Sequence, residues 1–167
     1  MSITKLTTKE IAAISVMGAL TTIATMIFMF PIPATSGYFN FGDAIVMSTA
    51  LIFGPLVGAI AGGIGSALAD QLAGWYDYVF ATMIIKGVEG YVVGCLAGDS
   101  TDRPLNRTII AWVGGSLVMV AGYFFFQAFR LGFGPAYVEL PFNLVQMLVA
   151  GVVGIPVSIK VKDRLNL

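Results

Sequence analysis

Apolar residues along the chain fall into six blocks, separated by short polar stretches or by proline and glycine. The first runs from Ile11 to Phe30 and stops at Pro31-Ile-Pro33. The second covers about Phe41–Phe53 and ends at Gly54-Pro55. A third runs from Pro55 to about Leu72, and a fourth from Tyr78 to Ala97. The polar stretch Gly98–Arg107 precedes a fifth block at about Thr108–Phe129. The sixth, about Pro141–Ile159, leads into a charged tail. Blocks of ~20 apolar residues predict membrane-spanning helices. The pattern therefore predicts an all-α integral membrane protein: one domain over residues 1–167, six transmembrane helices at about 11–30, 41–53, 55–72, 78–97, 108–129 and 141–159. The second block is short. At 1.5 Å per residue it covers ~20 Å of a ~30 Å hydrocarbon core. It is tilted, starts earlier at Tyr38, or forms one kinked helix with the third.

Composition agrees with the pattern. Of 167 residues, 57% are hydrophobic and only 11% charged, against about 25% charged in ordinary globular domains. Charge placement decides the parity. With six crossings, Lys5, Lys9, Arg103, Arg107, Lys160, Lys162 and Arg164 share one side, and Arg130 alone takes the other. Cationic loops face the cytoplasm, so both termini are expected there, in the multi-pass plasma membrane of a bacterium. The N-terminal run exceeds the 7–15 apolar residues of a signal-peptide core, and its small residues recur at helical spacing. Net charge is zero, which gives no bulk attraction to nucleic acid. Histidine is absent and Cys95 is the sole cysteine, so no metal ligand set, intrachain disulfide or cofactor is expected on this chain. The chain contains no GxxxxGK[ST], HExxH or GxSxG, so neither nucleotide hydrolysis nor another enzyme activity is expected of it.

The informative residues are the polar ones inside apolar blocks. Lys86 and Glu89 stand three apart in the fourth. A charge in a membrane helix costs roughly 2.5–3.5 kcal/mol on insertion scales and marks a functional hypothesis. The pair either neutralises itself structurally or contacts a solute. Asp43 opens the second block as a helix cap or as a member of an outer cluster with Asp70 and Asp77. Gln127 and Arg130 close the fifth helix, and Asn143 and Gln146 lie near the outer start of the sixth, where Pro141 suits a first turn. Trp75 and Tyr76 sit in an outer loop, as interface aromatics or as a stacking surface for a ring. Small residues recur at Gly58, Gly62 and Ser66, and at Ala12, Ser15, Ala19 and Thr22. Such spacing lets helices approach closely, within the chain or against a partner.

At Gly37-Tyr-Phe-Asn-Phe-Gly-Asp43, Leu51–Asp70, Ile85-Lys-Gly-Val-Glu-Gly90 and Pro141-Phe-Asn-Leu-Val-Gln146, the chain resembles the substrate-binding (S) component of energy-coupling factor (ECF) vitamin transporters. The resemblance covers nearly its whole length. It is closest to the group named for riboflavin, which includes proteins assigned to hydroxymethylpyrimidine, pyridoxine and cobalamin. That resemblance implies a six-helix fold with an outward-facing pocket built from the first, third and fifth loops and the outer ends of helices four to six. It also implies partners, a transmembrane coupling (T) subunit and two ATPases that use ATP and magnesium. Family members carry Ala-xxx-Ala on the first helix for the coupling subunit, where this chain has Ser15-xxx-Ala19.

The expected function is therefore capture of a small heterocyclic vitamin such as hydroxymethylpyrimidine or pyridoxine, with cobalamin or riboflavin as alternatives. The expected substrate site is Asn40, Asp43, Trp75, Tyr76, Lys86, Glu89, Gln127, Asn143 and Gln146. The expected docking face is Ala12, Ser15, Ala19, Gly58 and Gly62. Two rivals stand beside it: a stand-alone carrier using Glu89 as its proton site, and a lipid-headgroup enzyme using Asp99 and Asp102.

Overall fold

Six helices and a short β-hairpin make up the fold in a computed structural model that describes residues 6–32, 35, 37–98 and 103–165. Lys5, Asp99 and Asp102 lie outside the described residues. Helix α1 (Thr8–Ile27) starts at a reciprocal cap: the Glu10 N–H donates to the Thr7 hydroxyl at 3.2 Å, and the Thr7 N–H donates to the Glu10 carboxylate at 2.7 Å. Two three-residue strands follow, β1 (Phe30–Ile32) and β2 (Gly37–Phe39), paired antiparallel with Phe30 opposite Phe39. Next come α2 (Gly42–Phe53), α3 (Pro55–Ala73), α4 (Val79–Ala97), α5 (Leu105–Leu131) and α6 (Phe133–Leu165). Five of these helices are long and apolar enough to cross a bilayer; α2, at 12 residues, is the exception.

The short helix organises the rest. Ten of the 12 residues of α2 are buried, so it runs inside a ring of longer helices. Met47, Ala50 and Leu51 meet Val93 and Ala97 of α4, Ala111 of α5 and Ala150 of α6 in the apolar core. One end of α2 lies at the cytoplasmic loop, where Arg103 donates to the Leu51 carbonyl at 3.3 Å. At the other end Asp43 pairs with Lys86, which sits about 12 Å into the membrane from Tyr78 at the outer start of α4. The second block is thus a separate central helix that begins below the outer surface. The hairpin and a polar cleft occupy the depth above it.

Glycine permits the close approaches. A Cβ on Gly58 would fall 2.6 Å from the Ala50 Cβ, and one on Gly62 2.8 Å from Val46 Cγ1. Gly90 of α4 lies directly against the Gly58 carbonyl. On the other side of α3, Thr22 of α1 donates its hydroxyl to the Gly65 carbonyl at 2.8 Å.

Two expectations need correction. The described part of the first connection is not plain loop but the two paired strands, and Phe28, Phe30, Phe39 and Phe41 pack beside them with ring centroids 5.2–6.4 Å apart. The sixth helix begins at Phe133, eight residues before Pro141, which lies inside it. Pro135 takes the first-turn position, where a missing N–H costs nothing. An interior proline such as Pro141 is tolerated in a membrane bundle because neighbours satisfy the backbone group it frees.

Candidate functional site

A buried polar network closes the top of α2. The Lys86 ammonium pairs with Asp43 and lies 3.1 Å from Glu89. Gln146 of α6 donates to the second Asp43 oxygen at 2.8 Å. Its own carbonyl accepts from the Asn40 backbone N–H at 2.9 Å and from the Asn40 side chain at 3.3 Å. The Asn40 carbonyl oxygen in turn accepts from the Gly42 N–H at 2.8 Å, so the side chain covering the start of α2 is Asn40, and Asp43 is spent on Lys86. None of these five residues is more than 7% exposed. Charges this far from water persist only when paired and hydrogen-bonded.

Above this floor lies a cleft lined by Tyr38, Asn40, Tyr78, Thr82, Tyr123, Glu139, Asn143 and Gln146. Several elements contribute. Tyr38 comes from β2, Asn40 from the turn into α2, Tyr78 and Thr82 from the start of α4, and Tyr123 from α5. Glu139, Asn143 and Gln146 share one face of α6 through spacings of four and three. The walls are held by hydrogen bonds. The Tyr38 hydroxyl donates to Asp70 at the end of α3. Tyr78 donates to Gln127 at 3.0 Å, and Gln127 donates to Glu139 at 2.5 Å. Tyr123 and Thr82 join at 3.1 Å, and the Lys86 ammonium sits 5.3 Å from the centre of the Tyr123 ring. The Asn143 amide nitrogen is buried with no hydrogen-bond partner. Burial first, and then the Asp70 carboxylate, raise the Tyr38 phenol. Burial first, and then Glu139, push Tyr78 up to about 12. Both phenols therefore stay protonated, as donors, at physiological pH.

Counting its open mouth the cleft holds about 280 Å³ of atom-free space, and six of its eight lining residues are buried. The hairpin forms the cover, anchored by Tyr38 on Asp70, by the Asn40–Gln146 bonds and by the close approach of Gly37 to the Glu139 carboxylate.

Of the expected substrate residues, Asn40, Asn143 and Gln146 line the cleft, and Gln127 stands one hydrogen bond behind it. Asp43, Lys86 and Glu89 lie beneath it in the floor network. Trp75 stacks on Tyr38 at 5.3 Å, outside the lining. Tyr76 is 64% exposed and faces the outer surface beside Asp77 and Arg130. Asp43, Asp70 and Asp77 do not gather; they serve Lys86, Tyr38 and Arg130 separately. The expected substrate residues left out Tyr38, Tyr78, Thr82, Tyr123 and Glu139, which also line the cleft. A signal existed for three of them: Tyr78, Thr82, Lys86 and Glu89 continue one helix face at spacings of four, four and three, and Glu139 stands four before Asn143. Tyr123 carries none, in a block rich in aromatics.

On the expected docking face, Ala12, Ser15 and Ala19 are exposed along α1. Ser15 and Ala19 border a shallow groove between α1 and α3. Gly58 and Gly62 are instead buried against α2 and α4, so they serve packing inside the chain.

A family model described as "ECF-type riboflavin transporter, S component" matches residues 5–163. The chain belongs to this family. It is a multi-pass membrane S component of a transport system, not an enzyme. A solved structure described as "Structure and mechanism of the S component of a bacterial ECF transporter" superposes with a TM-score of 0.68 at 22% identity, over 95% of this chain and 98% of that one, and so shares the fold. An uncharacterized Pyrococcus woesei protein, from a "gap 3'region", is 40% identical over 145 residues, covering 87% of the S component and 96% of the relative. The "Thiamine precursor transporter HmpT" of Lactococcus lactis subsp. cremoris (strain MG1363) is 34% identical over 142 residues, covering 84% and 80% respectively.

Proposed function

We propose that the outer cleft is the vitamin site of this S component, and that its ligand is a small nitrogen heterocycle of the hydroxymethylpyrimidine or pyridoxine kind. The observation that carries this reading is the lining itself: three phenols, three amides, one hydroxyl and one carboxylate, drawn from β2, the turn into α2, the start of α4, α5 and α6. Aromatic faces stack on a ring while a few convergent polar groups orient it. The modest space favours a single ring over cobalamin. Similarity to a thiamine precursor transporter adds support for a pyrimidine.

Uptake then runs through partners. A transmembrane coupling subunit docks along α1 at Ala12, Ser15 and Ala19, and two ATPases supply the driving force, with ATP and magnesium bound by them. The direct test is mass-spectrometric identification of the small molecule that stays with the purified chain, followed by calorimetry with it. Retention of a pyrimidine or pyridine vitamin supports the reading. A chain that retains no vitamin, and binds none when titrated, overturns it.

A further inference from the structure

The charges around the cleft are one-sided. Glu139 is the only charged residue in its lining. The nearest cations lie outside the lining: Lys86 lies beneath, held by Asp43 and Glu89, and Arg130 pairs with Asp77 and sits 5.0 Å from the Tyr78 ring centre, with its other guanidinium nitrogen unpartnered. An anionic ligand would meet the Glu139 carboxylate in the lining itself, at a partly buried site where repulsion is weakly screened.

Two groups are in place for the opposite kind of ligand. Glu139 is 4% exposed and takes a hydrogen bond from Gln127 at 2.5 Å. A carboxylate has about four lone-pair sites, so acceptor capacity remains. Asn143, one turn further along α6, holds a buried amide N–H₂ with no partner. Buried donors are almost always satisfied, so an orphan of this kind calls for an explanation. Residues four apart on a helix have Cβ atoms about 5–6 Å apart, close enough for neighbouring groups on one ring to reach both. Gly37 lies close over this group: a Cβ there would fall 2.6 Å from the Glu139 carboxylate and push it aside.

We propose that Glu139 and Asn143 read the polar edge of the ligand, Glu139 accepting from an amino group and Asn143 donating to a neighbouring ring nitrogen, so that the cleft takes amino-substituted nitrogen heterocycles and rejects phosphorylated or carboxylated forms. This rests on the cleft being the vitamin site. It also separates hydroxymethylpyrimidine, which carries a ring amine, from pyridoxine, which does not.

Calorimetry on the full chain in detergent, with three probes, tests it: 4-amino-5-hydroxymethyl-2-methylpyrimidine, its 4-hydroxy analogue and its phosphate ester. The amino compound is expected to bind at least about tenfold tighter than either, since an unpaired buried polar group costs roughly 1–3 kcal/mol. Glu139→Gln is expected to bring the amino and hydroxy analogues within about threefold and to improve the phosphate ester relative to its parent. Equal affinity of the wild-type chain for the amino and hydroxy analogues, or for the phosphate ester, overturns the assignment, and this comparison stands even if the variant does not fold. Retention of an amine-free or anionic vitamin leaves the cleft as a vitamin site and sinks this inference alone. Failure to bind any vitamin sinks both.

Discussion

Lys86 is 1% exposed and touches two carboxylates, so its fate turns on pairing. Removing one member of a buried ion pair costs about 3–5 kcal/mol because the other charge is left without a partner. Lys86→Met should therefore lower the detergent melting temperature sharply. Adding Asp43→Asn to it should recover part of the loss; a double variant as unstable as the single would place the cost outside the pair. A milder case is Tyr38, whose hydroxyl satisfies one oxygen of Asp70 while the other oxygen has no partner. Tyr38→Phe should cost about 1–3 kcal/mol, read as a lower melting temperature. It should also loosen the hairpin, read as faster ligand association in stopped-flow fluorescence.

At the scale of elements, spacing between helices is set by glycine rather than by large side chains. The face of α3 carrying Gly58 and Gly62 lies on α2 and α4, while Gly65 faces α1, where a Cβ would fall 2.5 Å from the Gly18 carbonyl. Overpacking of this kind costs about 1–3 kcal/mol or more. Gly90→Val should reduce folded yield in size-exclusion profiles, because Gly90 lies against the Gly58 backbone. Gly134→Ala is the control: no atom lies within 4 Å of its Cβ position, and the profile should not change. Helix α1 behaves differently. Its outward side exposes Ile11, Val16, Leu20 and Ile23 around the small residues expected to receive the coupling subunit. Ala19→Leu would fill the α1–α3 groove. It should weaken co-purification with that subunit about tenfold, the effect of ~1.4 kcal/mol, while leaving vitamin affinity of the isolated chain unchanged. Lost vitamin affinity would show that the substitution disturbs the fold.

For the molecule as a whole, the layout has a consequence for energy coupling. Below the cleft lie the floor network and the apolar core around α2. A ligand held in the cleft would have to cross both layers to reach the cytoplasmic end. Proteoliposomes holding the chain alone should bind labelled vitamin without accumulating it, and adding the coupling subunit, both ATPases and ATP should start accumulation. Accumulation by the chain alone under a proton gradient would favour the stand-alone carrier built on Glu89.

Membrane residence, six helices and the approximate limits of the first five were legible in the sequence, and the cationic loops carried an expectation of orientation. These depend on local composition: ~20 apolar residues in a row cannot stay in water, and cationic loops stay on the cytoplasmic side. The floor network was half legible, since Asp43, Lys86, Glu89 and Gln146 are each conspicuous as polar residues in apolar blocks. Which of them pair was not, because Asp43 and Gln146 meet only across 103 residues of chain. The cleft lining depended most on tertiary structure. Tyr78, Thr82 and Tyr123 read locally as interface aromatics or ordinary helix residues, and they become walls of one site only because α2 is too short to fill the depth above it. A helix's own sequence determines whether it is stable in lipid, but the space left between helices is a property of all of them together.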